Sequence, residues 1–141
     1  MIYIQESSLE HQLNVLERIS AKSSFVLILW NYPKASKQIV PLIGGKLFNQ
    51  GFEAVTEYFD NTVLMHSRPL AARPSLLSYL SRFKRELERS VDSICLYSER
   101  SKHWSACSIG HEGMCLVRDE SFLEPLLAAG FNASIEAPDW W

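Results

Sequence analysis

No apolar run in the chain approaches the ~18 residues that a membrane helix requires. The start, MIYIQESSLEH, also lacks the basic segment and long apolar stretch of a secretory signal. A cytoplasmic protein without a membrane partner is expected. Cysteine is scarce and odd in number: Cys95, Cys107 and Cys115, in a chain with no export signal, argue against a disulfide framework and for reduced thiols in the core. Charge of one sign is missing too. Fourteen Lys and Arg against 16 Asp and Glu leave a formal net charge of −2, which neither draws the chain to phosphate nor repels it. The one glycine-lysine stretch, GGKL, has no earlier glycine and carries Leu47 where a phosphate-binding loop needs Ser or Thr, so Gly44 and Gly45 read as a bend or a close packing point. There is no repeat, no linker and no cofactor signature; no cofactor is expected, and no stretch matches a motif specific to one family.

What is present is a globular composition, with 47% hydrophobic and 21% charged residues over 141 positions. A domain of this length buries roughly two-thirds of its unfolded surface, enough for a core without staples. One globular α+β domain spanning residues 1–141 is expected, with a mixed, mostly antiparallel sheet of five or six strands and three or four packed helices.

Ser7 with Glu10 matches a capping box ahead of Leu9, Leu13, Leu16 and Ile19, predicting a first amphipathic helix over about 8–22. Phe25 to Trp30, FVLILW, is apolar on both faces and predicts a central strand. Pro41, Leu42, Ile43, Leu47 and Phe48 suggest a short helix that Gly51 ends. FEAVTEYF and TVLMHS read as a hairpin turning at Asp60-Asn61. Leu76, Leu80, Phe83 and Leu87 form one stripe of a helix over 75–89. DSICLYS, HWSACSI and MCLVR follow as a meander, and a capping box of Ser121 and Glu124 opens a last helix that Gly130 stops.

Four candidate constellations follow. In HWSACSIGHEGMC, His103, Cys107, His111 and Cys115 recur every fourth residue, as metal ligands might be counted. On a helix they would span about 18 Å, and on a strand His103 and Cys107 would stand about 13 Å apart. A four-residue hairpin loop from Gly110 to Gly113 pairs Ile109 with Met114 and puts the two cysteines on opposite sides of the sheet. No metal site is expected; buried cysteines and a loop histidine are. Arg82, Arg85 and Arg89 fall on one helical face, with Arg68, Arg73 and Lys84 near, a stripe able to track phosphates. Glu86 and Glu88 interrupt it and no aromatics interleave, so a solvated face is favoured and a nucleic-acid partner is not. His66, at the end of TVLMH, is the best lone candidate for acid–base chemistry, with Asp60 and Cys107 as hypothetical neighbours.

The fourth is the C-terminal stretch. From Asp119 onward the chain carries Asp119, Glu120, Glu124, Glu136 and Asp139 and no Lys or Arg, and it finishes on Trp140 and Trp141. Two terminal indoles must pack either on the body of the domain or into a partner. The leading expectation is a non-enzymatic protein-binding module, such as an inhibitor, a toxin-neutralising immunity protein or an adaptor. It would meet a basic protein partner through Trp140, Trp141, Asp139, Glu136, Glu124 and Glu120. A small enzyme using His66 or the 103–115 segment is the main rival, and a nucleic-acid binder the third.

Overall fold

The computed structural model describes residues 1–20, 25–30, 46–47, 53, 55, 62–66, 78, 80–91, 93–97 and 101–141; in 25–30, 46–47 and 62–66, and at residue 90, the description is of the backbone. Its strands are β1 (Ile2–Gln5), β2 (Phe25–Trp30), β3 (Lys46–Leu47), β4 (Thr62–His66), β5 (Ser93–Tyr97), β6 (Trp104–Ile109), β7 (Met114–Val117) and β8 (Ala133–Ser134). Its α-helices are α1 (Leu9–Ile19), α2 (Lys84–Ser90) and α3 (Leu123–Ala128), the last entered through a 3-10 turn over Glu120–Phe122. The strands form one sheet in the order β3-β4-β2-β5-β6-β7-β1-β8, and every described pairing is antiparallel. The architecture is therefore α+β, as the composition implies. Six strands have four residues or more, and the two edge strands have only two each, β3 beside Leu64 and Met65 and β8 beside Tyr3 and Ile4. Among the described residues no helix is long and apolar enough to cross a membrane.

The sheet's middle is buried on both faces, which is why β5 and β7 are buried at every position. Cross-strand register sorts the side chains into rows. On one face Ile2, Val117, Ala106 and Leu96 stand in a row, and beside them Ile4, Cys115, Ser108 and Ile94. This face packs against Leu13, Val15, Leu16 and Ile19 of α1, Leu87 of α2 and Leu126 of α3 in one cluster. On the other face Tyr3, Leu116, Cys107 and Cys95 stand in a row, within a second cluster that includes Tyr97, Trp104, Ile109 and Met114. Val55 packs on this second cluster, and the Tyr97 hydroxyl donates to the Glu53 carbonyl.

The meander over β5, β6 and β7 matches the expected segments, and the Gly110–Gly113 loop sets the expected pairing of Ile109 with Met114. Gly113 takes φ +61° there, and its carbonyl accepts the Glu6 N–H at 2.7 Å, tying the loop to the entry of α1. β2 is interior, paired on both sides by β4 and β5, as its apolar run implies.

Several expectations shift. Ile2–Gln5 is a strand that four alternating residues are too short to announce. α1 starts one residue later than expected, capped through the Ser8 carbonyl, and Glu6 rather than Glu10 reaches back to the Ser8 N–H. Lys46 and Leu47, expected in a helix, pair with Met65 and Leu64 of β4. Glu53 and Val55 lie outside any strand, and β3 borders β4 at Met65 and Leu64; the rest of the 52–59 stretch and the expected turn at Asp60-Asn61 fall outside the described residues. The helix expected over 75–89 breaks at Arg82 and Phe83, where the Phe83 N–H bonds the Leu80 carbonyl and the Ser81 hydroxyl turns back to the Ser78 carbonyl. Its apolar stripe survives, with Leu80 and Leu87 buried and Phe83 packed against the same cluster. Asp119, not Ser121, caps the last helical segment by accepting the Ser121 N–H.

Two substitutions test this packing. Leu16→Ala, at a fully buried contact of α1 with the sheet, is expected to lower unfolding free energy by about 2–5 kcal/mol in urea titration. Gly113→Ala is expected to cost about 1–2 kcal/mol from its left-handed backbone alone, with the new Cβ also 3.3 Å from the Ser7 Cα.

Candidate functional site: the C-terminal surface

The last helix ends in a Schellman motif that fixes where the C-terminal segment goes. Gly130, at φ +87°, donates to the Leu127 carbonyl, Phe131 donates to the Leu126 carbonyl, and Phe131 packs with buried Leu126 in the first core cluster. The reversal delivers Ala133 and Ser134 to the outer edge of β1, opposite Ile4 and Tyr3. Because the pairing is antiparallel, the chain leaves β8 toward Met1, whose ammonium is ion-paired with Glu120 at the start of the 3-10 turn. Glu120 and the outgoing tail thus share one end of the sheet.

There the chain turns once more, the Trp141 N–H bonding the Pro138 carbonyl at 3.0 Å. Trp141 meets Tyr3 edge to face, with ring centroids 6.2 Å apart at 67°, and Trp140 meets Trp141 at 6.5 Å and 74°. The indoles are neither engulfed by the domain nor detached from it, since Trp140 is 53% and Trp141 50% exposed. Among the described residues the large apolar side chains left exposed are Leu127, Ile135, Trp140 and Trp141, all within this one stretch. Glu124, Glu136 and Asp139 are exposed alongside. Of the six residues the sequence singles out, Glu120 differs: its carboxylate already holds the Met1 ammonium. Tyr3, which anchors Trp141, carries no sequence signal because it is read from a register 130 residues away.

The other candidates fare differently. Cys95, Cys107 and Cys115 are free and buried. Cys107 and Cys115 belong to clusters on opposite faces, as the hairpin register requires, and Cys95 stands directly across from Cys107. Among the described residues no group of three His, Cys, Asp or Glu is placed to hold a metal ion. Burial pushes the Cys107 thiol well up, reinforced by Cys95, and burial likewise pushes Cys115 up, so neither is a nucleophile near neutral pH. His66 sits in β4, three strand spacings from Cys107 in β6, about 14 Å, so those two form no dyad. Asp60, Arg68 and Arg73 lie outside the described residues. Arg82, Arg85 and Arg89 are exposed, but the break at Arg82 and Phe83 divides their stripe, and Lys84 is drawn to Glu10 at 3.1 Å.

Two clusters have no counterpart in the sequence reading. Glu53 accepts Arg118 Nη2 at 2.7 Å on each carboxylate oxygen and lies 3.2 Å from His103 Nδ1. Arg118 in turn covers Trp104, a member of the buried second cluster, its guanidinium carbon 4.0 Å from the ring centroid. This is a clamp that holds residue 53 against β6 and β7. The second cluster is an open groove of about 470 Å³ between α1 and the end of α3, lined by Glu6, His11, Asn14, Glu17, Arg18 and Phe131. His11 Nδ1 lies 3.2 Å from the Glu6 carboxylate, and among the described residues lining the groove there is no Ser, Thr, Cys or Lys beside this pair.

The thiols of Cys107 and Cys115 give a pH prediction. Their folded pKa values lie above the unfolded value of about 8.5, so the unfolded chain loses protons that the folded chain keeps. Their contribution is complete below about pH 8.5 and is lost as pH rises further. Urea midpoints are expected to fall between pH 8 and pH 10, with a shallower fall in the Cys107→Ala/Cys115→Ala chain. An identical slope in both chains would show that the thiols do not carry the effect.

A comparison with protein-family models, with curated proteins and with solved structures finds no match to the chain.

Proposed function

We propose that the protein is a non-enzymatic protein-binding module that captures a basic partner through its C-terminal surface, in the role of an inhibitor, a toxin-neutralising protein or an adaptor. The observation that carries this reading is the segregation of exposed apolar side chains. Among the described residues the exposed large apolar side chains are Leu127, Ile135, Trp140 and Trp141, all within residues 124–141, which also bring Glu124, Glu136 and Asp139 to the surface and contain no Lys or Arg. Tryptophan is the residue type most enriched where binding energy concentrates, and a rim of carboxylates speeds encounter with a cationic surface. The nearest cation along the chain, Arg118, is taken up by Glu53 and Trp104 and leaves the patch acidic.

The two indoles are held by a turn and an edge contact rather than inserted into the core, so their removal should cost binding without costing the fold. In affinity capture from the protein's own source, Trp140→Ala/Trp141→Ala is expected to retain at least tenfold less of the partner, while its melting temperature stays within a few degrees of the parent. Glu136→Lys/Asp139→Lys is expected to slow association and to flatten its dependence on salt. Undiminished capture by both variants would exclude this surface, and a collapse of melting temperature in the tryptophan variant would return the indoles to the core.

A further inference from the structure

Tyr3, Trp141 and Trp140 form two successive corners, at 67° and 74°, with centroid separations of 6.2 and 6.5 Å. Rings meeting this steeply leave wedges in which a ligand group lies against the face of one ring and the edge of another. The face of an aromatic ring carries negative quadrupole potential and the edge positive, so a wedge with an open face favours a cation over a neutral group of the same shape. Trp140 and Trp141 are each about half exposed, so the corner is reached from solvent.

The surroundings add the same sign. Asp139 precedes the two indoles within the turn closed by the Trp141 N–H and the Pro138 carbonyl, residues 119–141 carry no Lys or Arg, and the Met1 ammonium at this end of the sheet is offset by its ion pair with Glu120. That turn also fixes both indoles before any ligand arrives, which reduces the ordering cost of binding. The chain uses the pairing elsewhere within itself: Arg118 lies 4.0 Å over Trp104, and Arg18 lies 5.7 Å from the Phe131 centroid.

From this geometry we infer that Tyr3, Trp140 and Trp141 are a receiving site for a single arginine side chain of the basic partner, with Asp139 as its counter-charge. The inference rests on the binding-module reading and sharpens it, turning a general acidic and apolar surface into a site with a defined guest. A guanidinium suits a steep wedge because it is flat enough to stack on one ring and presents N–H donors at its edge to a carboxylate.

The test needs no identified partner. The full chain is titrated with acetyl-Gly-Arg-Gly-amide and with the same peptide carrying citrulline, which keeps the planar shape and loses the charge, while the indole N–H resonances of Trp140 and Trp141 are followed. The arginine peptide is expected to shift both resonances and to bind about three- to thirtyfold more tightly than the citrulline peptide. Trp141→Ala is expected to erase that preference, and Asp139→Asn to reduce it. Equal binding of the two peptides, shifts confined to other residues, or a preference that persists in Trp141→Ala would each overturn the site; the last would assign the preference to the carboxylates alone. These outcomes are separable from the broader reading. Tryptophan-dependent capture of a partner with no arginine preference removes this site and leaves the binding surface standing, whereas loss of tryptophan-dependent capture removes both.

Discussion

The antiparallel register that joins β5, β6, β7 and β1 is the constraint on which the rest of the molecule depends. Side chains alternate between faces along a strand, so this register decides at once which residues meet the helices and which meet the second cluster. A slip of one position would carry Ile4, Cys115 and Ile94 away from α1 and put Cys107 and Cys95 in their place. It would also set the Ser108 hydroxyl, which accepts the Ile94 N–H, on the wrong side. The hairpin loop at Gly110–Gly113 pins the register at one end. The bond from Glu6 to the Gly113 carbonyl then ties that loop to the strand farthest from it in the chain.

The C-terminal surface is a product of the same register. β8 reaches only Tyr3 and Ile4, two pairs, yet they determine the direction in which the tail departs and the side of the sheet on which Trp141 finds Tyr3. The Schellman turn at Gly130 supplies the matching approach from α3. A short edge strand and a helix stop, both modest in energy, thus position two large side chains that make little contact with the core. The opposite arrangement holds at Trp104, which the second cluster buries and the Arg118 guanidinium covers.

Local chemistry made part of this legible in advance. The meander, the hairpin loop, the opposed cysteines and the stop at Gly130 follow from alternation, loop length and glycine geometry, all of which act within a few residues. The first strand, the cap by Asp119, the break at Phe83 and the strand at Lys46 do not, because each is settled by a partner distant in sequence or by competition between near-equal hydrogen bonds. The same divide runs through the C-terminal surface. Trp140, Trp141 and the carboxylates can be read as a composition, but Tyr3 beneath Trp141 and the Met1 ammonium on Glu120 are visible only once β1 lies between β7 and β8. Glu53 is the extreme case. Its place comes from Arg118, His103, the Tyr97 hydroxyl and the Lys102 carbonyl, partners that the strand pattern read over FEAVTEYF does not indicate.

The position of β1 also sets how the sheet closes. In sequence it comes before the other described strands, yet it is the seventh in the sheet, lodged between β7 and β8, which lie more than a hundred residues away. Without that later portion, Ile2 and Ile4 have no apolar row to join and Tyr3 has no strand on either side. Closure over such a sequence separation is entropically slow. The meeting of Tyr3 with Trp141 therefore depends on the longest-range pairing among the described strands.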